Sequence, residues 1–486
     1  MDDRVTVIVM AAGEGKRLKS TRPKVLHQLA GRSMLGHVLA AAAPLAPAKT
    51  LVVVSTRGPE IQDAVRAEGS AEGIDYVVQD PPRGTGDAVK VALEHVGDAQ
   101  RVLILPGDSP LISTAVLEAL LDAHDAAGAT GTVVTSKVFD PTGYGRILRD
   151  EAGAVAGVIE ERDASEDQRK SNEVNAGFYV FDVAALGRML DKVDNVNAQK
   201  EYYLTDVIEL FAREGLSLQT FEAPEDEVMG INSRPQLARA TALLRERTCS
   251  RWMDEGVTIV DPASTFIDPT VTIGSDTVIL PFSFLEGAST IGSGVELGPQ
   301  ARVIDSSIGD GAVVTFAVVR GSSIGPRATV GPFASIRAGT TLGENGRIGT
   351  FVETKSTSID AGSKIPHLSY VGDAEIGPGV NVGAGTITCN WDGTSKHKTI
   401  VDEDVYIGSD TMLVAPVHLG ARSATGAGSV VRGDVPADAL AVGVPARIIE
   451  GQGNKMDKVP PPESEEAGKV GPVQPTGLDE RREGER

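Results

Sequence analysis

Between residues 267 and 419 the aliphatic residues of this chain recur at a spacing of six. Ile267, Ile273, Ile279, Leu285, Ile291, Leu297 and Val303 follow one another without a miss, and after one five-residue step the rhythm returns at Ile308 and Val314. It continues at Val318, Ile324, Val330, Ile336, Leu342 and Ile348, then at Ile359, Ile365 and Val371, at Ile376 and Val382, and at Val401, Ile407, Leu413 and Leu419. Helices repeat at 3.6 residues and strands at 2, so neither yields this pattern. A parallel β-helix does: each hexapeptide forms one flat side of a triangular coil, and its aliphatic residue points into the prism. The composition agrees, with 55 glycines and only 4% aromatic residues, as expected of many tight turns around small side chains.

The first half of the chain follows a different rule. Short apolar runs at Val5–Met10, 51–55, 76–78, 102–105, 132–135 and 178–181 read as strands, and 114–126 and 184–190 carry helical spacing between them. That alternation predicts an α/β layered domain with a mostly parallel, Rossmann-like sheet over residues 1–235. An Arg-rich helical arm is expected over 236–255, the β-helix over 256–450 and a disordered tail over 451–486, where large apolar residues are scarce. The formal net charge of −21 argues against nucleic acid or an anionic membrane as a partner. With two cysteines, Cys249 and Cys389, there is no disulfide scaffold and no Cys-rich zinc site. Together with an N-terminus lacking a leader pattern, this makes a cytoplasmic location the expectation.

The first strand runs into Met10-Ala11-Ala12-Gly13-Glu14-Gly15-Lys16-Arg17, followed by Pro23-Lys24. Small residues let backbone N–H groups approach an anion, and Arg17 and Lys24 supply fixed positive charge for a triphosphate. Gln79 and Gly84-Thr85-Gly86-Asp87 form a second turn into a helix, and Asp108 follows a buried strand, the edge at which open α/β sheets bind ligands. Gly143-Tyr144-Gly145-Arg146, Glu160, Asn175 and Gly230-Ile231-Asn232 complete the set. This half resembles the sugar-1-phosphate nucleotidylyltransferases. With the hexapeptide repeat, residues 4–447 resemble the bacterial family of bifunctional N-acetylglucosamine-1-phosphate uridylyltransferases/glucosamine-1-phosphate N-acetyltransferases, whose product feeds cell-wall glycan synthesis. The resemblance implies a left-handed β-helix, Asp108 and Asn232 as Mg²⁺ ligands, and Arg17 and Lys24 as catalytic groups on the phosphates. It further implies Met10, Ala11, Ala12 and Gly13 around UTP, Gln79, Gly84 and Thr85 on uracil, and Gly145, Glu160 and Asn175 on the sugar. Lys16, where a small hydroxyl residue is expected, and Pro106, where a Tyr is common, depart from the pattern.

The repeat breaks between Val382 and Val401, where Asn390-Trp391-Asp392-Gly393-Thr394-Ser395-Lys396-His397-Lys398 is inserted. By the same resemblance this is the acetyltransferase loop, and His367 is the general base, a role suited to a neutral imidazole near pH 7. Arg337, Lys355, Tyr370 and Asn381 would hold glucosamine-1-phosphate, and Ala384, Asn390, Trp391, Ser409 and Ala427 would line acetyl-CoA. Cys389 is read as a small packing residue, since direct transfer needs no acyl-enzyme, and His27, His37, His95, His124 and His418 as packing or surface residues. Near the end Gly443 stands where the family has a coenzyme-contacting Arg, a charge that Arg432 or Arg447 could replace. A homotrimer is expected by analogy. Two other readings share the architecture: a single-function nucleotidylyltransferase with an assembling β-helix, and a non-enzymatic regulatory subunit. The His367 and Asn390–Lys398 features speak against the first, and the intact Gly13–Arg17 and Asp108 set against the second.

Overall fold

The computed structural model describes residues 5–13, 15–69 and 73–453, so most of the expected tail lies outside the described residues. The chain divides into two compact units, one ending at Phe333 and one beginning at Ala334.

The first unit opens with strand β1 (Val5–Met10), the short hairpin β2 (Gln28–Leu29) and β3 (Arg32–Ser33), then β4 (Lys49–Val54), β5 (Ile74–Val78) and β6 (Arg101–Pro106). β7 (Gly131–Lys137), β8 (Arg146–Arg149), β9 (Val155–Ile159), β10 (Glu173–Asp182) and β11 (Leu218–Glu222) follow. The main sheet runs β11-β7-β10-β6-β1-β4-β5. It is parallel throughout except β10, which is antiparallel to both β6 and β7. Alternation along β1 divides its side chains between two cores: Val5, Val7 and Val9 face one, Ile8 the other. Helices Met34–Ala42, Gly58–Ala67 and Thr114–Ala127 cover the first core. Thr85–Leu93, Val183–Leu190 and Asp206–Arg213 cover the second.

The Arg-rich segment is one helix, Arg234–Asp254, begun by the Ser233 side chain accepting from Gln236 N. Its first half packs Ala240, with Leu237, Leu243 and Leu244, against Leu18, Leu29, Met34, Leu111 and Ile231. In its second half Cys249 is buried against the carbonyls of Pro262 and Thr265.

Both units contain left-handed parallel β-helix. In the first, Ile267 pairs with Leu285, Ile273 with Ile291 and Ile279 with Leu297, each eighteen residues on, or three sides of six. A buried Ser two positions before the inward residue closes many corners, as Ser283 Oγ donates to Leu280 O (2.7 Å) and Ser289 Oγ to Glu286 O (2.7 Å). In the second unit Ile348 pairs with Ile365 and Ile359 with Ile376, seventeen residues on. Around the insertion the step lengthens, so that Ile376 meets Val401 and Val382 meets Ile407.

The phase corrects the sequence reading at one point. Val319, paired with Val303, is the inward residue, whereas Val318 is 38% exposed. That coil is shortened to sixteen residues, and spacing alone cannot choose between two adjacent valines. The repeat also had silent members: Thr354, Thr388 and Thr425 fill inward positions and are buried. Val319→Ala should therefore lower unfolding stability by about 2 kcal/mol through lost burial and a cavity. Val318→Ala should change it by less than about 0.5 kcal/mol. Denaturant titration of both variants checks this, and equal effects would refute the assignment.

Candidate active sites

The first site forms in the first unit at the carboxyl ends of β1, β4, β5 and β6. The chain leaves β1 toward β4 on one side and returns as β6 on the other, which opens a crevice between β1 and β6. Backbone bonds tie the emerging loops together: Ala11 N to Val53 O (2.8 Å), Gln79 N to Val54 O (2.8 Å) and Gly107 N to Met10 O (3.0 Å). In this crevice the Lys24 ammonium, itself largely buried, donates to Asp108 Oδ2 and to Asn232 Oδ1 (2.6 Å). Residues 84 and 208 positions from Lys24 thus aim two oxygens at one cation. Arg17 is exposed and points toward Gly143, where a methyl group would sit 3.9 Å from its Nη1.

Gln79 is buried, and its amide nitrogen donates to Gly84 O (3.0 Å) and Asp87 Oδ2 (2.8 Å). Gly84 has φ +116°, and a Cβ there would meet Tyr202 O at 2.5 Å, so no other residue fits that turn. Thr85 Oγ1 accepts from Leu204 N (3.0 Å), fastening the same turn from the far side. On the opposite wall Asn175 N donates to Gly145 O (2.9 Å) and Asn175 Nδ2 to the Tyr179 hydroxyl (2.7 Å). Glu160 Oε1 accepts from Thr205 Oγ1 (3.0 Å). Burial raises the pKa of Glu160, and Asp163 and Glu201 add to the shift against that hydrogen bond. Gly145, Glu160 and Asn175 are thus brought together. Thr205 was not singled out from sequence, because nothing in its local pattern marks a partner 45 positions away.

The second site lies within the second unit. Arg337 Nη1 donates to Glu353 Oε1 (2.8 Å), and Glu353 pairs with Tyr370, and Lys355 with Gly372, on successive coils. Lys396 of the inserted loop approaches Lys355, whose hydrogen-bonding proximity and charge lower its pKa. Two ammonium groups brought together favour a dianion such as a phosphate ester. His367 ends the strand Lys364–His367 with its side chain exposed, and Leu368, at φ +49°, turns the chain sharply from it toward Tyr370. Asn390 Nδ2 donates to Asp373 Oδ2 (2.5 Å) and to the Tyr370 hydroxyl (3.3 Å). Asp373 is a site residue that sequence reasoning missed.

Asn381 and Tyr406 are register partners. Ala384, Ser409 and Ala427 stack along the coils: Asp410 N donates to Ala384 O (2.7 Å) and Gly428 N to Ser409 O (2.8 Å). Trp391 is 57% exposed at the root of the loop, where it bridges to Lys396. Asp392 accepts from Ser395 N and Thr394 N (both 2.7 Å) and from His397 Nε2 (2.6 Å), which hold its carboxyl well below the usual range and brace the loop. Burial raises the Cys389 pKa, which disfavours a thiolate nucleophile. Gly443 sits at φ +102°, and Arg432 and Arg447 are both exposed. Of the histidines read as packing or surface residues, His37 bonds Leu29 O (2.8 Å), His124 bonds Thr132 Oγ1 (2.9 Å) and His418 bonds Asp402 (2.9 Å). No helix among the described residues is long and apolar enough to cross a membrane.

Beside the first site, Asp206 is pushed up to about 6, by burial first and then by Asp194, Glu160, Glu209 and Asp163. A carboxyl whose folded pKa is raised stabilises the fold below its unfolded pKa, and that contribution is lost as pH rises through the folded value. Asp206→Asn should therefore exceed wild type in stability at a pH of about 7.5, with the gap shrinking toward about pH 4.5. Urea midpoints at the two pH values decide this, and a gap independent of pH would refute it.

The nucleotidyl transferase family pattern matches residues 6–258. The chain is 48% identical over 439 residues to the Bifunctional protein GlmU of Heliobacterium modesticaldum, covering 90% of this chain and 95% of that protein. It is 46% identical over 452 residues to the Bifunctional protein GlmU of Thermobifida fusca, covering 92% and 93%. To that of Mycobacterium bovis it is 47% identical over 450 residues, covering 91% of each. The match runs through both halves, so the chain belongs to the family of bifunctional GlmU proteins, with its nucleotidyl transferase part at residues 6–258.

Proposed function

We propose that the chain makes UDP-N-acetylglucosamine in two steps, acetyl transfer from acetyl-CoA to glucosamine-1-phosphate and then uridylyl transfer from UTP. The observation that carries this reading is that likeness to bifunctional GlmU proteins spans about nine-tenths of the chain, while each half gathers its own set of polar groups.

In the uridylyl site Gln79, its amide nitrogen committed to Gly84 and Asp87, offers its carbonyl oxygen to the uracil N–H. Gly145, Glu160 and Asn175 hold the sugar, and the turn Met10–Gly13 presents backbone N–H groups to the triphosphate. Asp108 and Asn232 fit a divalent cation, because their oxygens already converge on a single positive charge and a hard cation takes oxygen ligands. When bound there, Mg²⁺ neutralises phosphate charge. Lys24 and Arg17 orient the phosphates and bear the charge that develops on the departing pyrophosphate as the sugar phosphate oxygen attacks the α-phosphorus in line.

In the acetyl site Arg337, Lys355 and Lys396 bind the phosphate of glucosamine-1-phosphate. Asn390 has its amide nitrogen engaged by Asp373 and Tyr370, so its carbonyl oxygen is the end available to orient the amine. The amine nitrogen attacks the thioester carbonyl and its proton passes to the His367 imidazole; the C–S bond then breaks and the departing thiolate takes that proton to leave as thiol. Ala384, Ser409 and Ala427 let the coenzyme lie along the coils. The family likeness also supports assembly as a homotrimer, which sedimentation equilibrium would test.

The two reactions should separate. Asp108→Asn should depress pyrophosphate release from UTP by about 10²-fold or more while acetyl transfer persists. His367→Ala should depress acetyl transfer by about 10²- to 10⁴-fold while uridylyl transfer persists. Cys389→Ala should retain acetyl transfer within about twofold, since Cys389 is read as packing and not chemistry. Mass spectrometry of products from the intact protein with glucosamine-1-phosphate, acetyl-CoA, UTP and Mg²⁺ tests the whole. Absence of UDP-N-acetylglucosamine would overturn the reading.

A further inference from the structure

The motif Gly143-Tyr144-Gly145-Arg146 contains two residues that this chemistry leaves without a task, Tyr144 and Arg146. Arg146 is only 2% exposed. Its guanidinium donates to Ser171 O (3.1 Å), to Tyr144 O and to Arg169 O (3.3 Å), and meets the Glu161 carboxylate at 2.7 Å. A buried guanidinium needs its charge paired and its N–H groups engaged, and here Glu161 supplies the opposite charge while three backbone carbonyls accept hydrogen bonds.

The partners are not a random set. Tyr144 precedes Gly145, Glu161 follows Glu160, and Ser171 leads into β10, which carries Asn175. One guanidinium therefore fastens the three segments that bear the sugar-holding residues. The chain of bonds continues from there. The Tyr144 hydroxyl accepts from Gly230 N (3.3 Å), Ile231 N donates to Asp108 O (2.9 Å), and Asn232 is the next residue. Burial raises the pKa of the Tyr144 phenol, and the Asp108 charge adds to this against the Gly230 N–H, so the ring lies within the field of the cation-binding pair.

We propose that Arg146 and Tyr144 are positioning residues of the uridylyl site. Arg146 clamps the sugar-holding segments, and the Tyr144 hydroxyl ties that clamp to the segment bearing Asp108 and Asn232. The sugar phosphate and the divalent cation are thereby held in register. This rests on the uridylyl-transfer reading above, and Tyr144 and Arg146 act through their neighbours.

Tyr144→Phe tests the link, since it keeps the buried ring and removes the acceptor. Mn²⁺ binding to the full chain, followed by electron paramagnetic resonance without nucleotide, should weaken about five- to tenfold, the loss typical of one hydrogen bond. The Michaelis constant for N-acetylglucosamine-1-phosphate should rise severalfold as well, with acetyl transfer serving as the control for folding. A lower unfolding temperature with unaltered Mn²⁺ affinity would mean a packing role and overturn the link, and so would wild-type values of both parameters. Arg146→Lys tests the clamp by raising the Michaelis constant for the sugar phosphate about tenfold. Where that variant does not fold, Glu161→Gln removes only the charge partner and should raise the same constant severalfold; no change would overturn the clamp. Failure of the wild-type protein to release pyrophosphate from UTP and N-acetylglucosamine-1-phosphate would sink the functional reading instead. The Mn²⁺ measurements would still judge the positioning claim.

Discussion

One inward side chain per hexapeptide is the constraint on which the β-helix depends. Each flat side of the coil is only two to four residues of strand, far too short to hold together alone. Stability comes from stacking: in the first unit Ile279 lies on Leu297 and in the second Ile348 lies on Ile365, each burying an apolar column within its unit, and paired strands find their hydrogen bonds in the neighbouring coil. A residue can be added only where it disturbs neither the column nor the ladder. The nine residues from Asn390 to Lys398 satisfy this, because Ile376 still meets Val401 and Val382 still meets Ile407 after the excursion. The scaffold accepts a polar loop at a corner without losing a single inward partner.

The same constraint decides where chemistry can sit. With the central residue of each side pointing inward, the residues before and after it point outward from a fixed backbone. Arg337 follows Ile336, Lys355 follows Thr354, Tyr370 precedes Val371 and Asn381 precedes Val382. The proposed acetyl site is thus assembled from outward positions on neighbouring coils, whose spacing the ladder sets. The uridylyl site uses the corresponding rule of a parallel sheet. Its residues lie just past the carboxyl ends of strands, where β1 and β6 part.

Periodicity was legible because it is local and repeated. Val5–Met10 was read from sequence with the bounds observed, and between Ile267 and Leu419 the inward aliphatics were read except where Val318 and Val319 stand side by side, whereas Ile259 and Val431 beyond those ends were missed. Adjacent equivalents carry no phase, and only pairing with Val303 resolves them. Polar inward residues were invisible for another reason: Thr354 has an isosteric claim on a valine's place, but its hydroxyl hides it from an apolar pattern. Of the acetyl-site residues supplied by family resemblance, Lys355 and Tyr370 lie in one sheet of the β-helix and His367 and Asn381 in another. The groups that hold them were not legible. Thr205 beneath Glu160 and Asp373 beside Asn390 belong to contacts between distant segments, and no spacing rule connects them.

The threonines show why a scaffold so insistent on aliphatic residues relaxes beside the acetyl site. A buried hydroxyl without a partner is unfavourable by about 1–3 kcal/mol, so an inward threonine is favoured where its bonds are made. Thr388 makes two, accepting from Gly372 N (2.8 Å) and donating to Gly372 O (3.0 Å) across adjacent coils. Gly372 leaves no room for a side chain, since a Cβ there would lie 2.4 Å from the Tyr370 hydroxyl oxygen and 2.9 Å from Asn390 Nδ2. The next residue, Asp373, holds Asn390. A valine at 388 would fill the prism equally well and leave the backbone at Gly372 without those two bonds. The hydroxyl thus gives up a little apolar burial for a fixed turn at the point where Tyr370, Asp373 and Asn390 must meet.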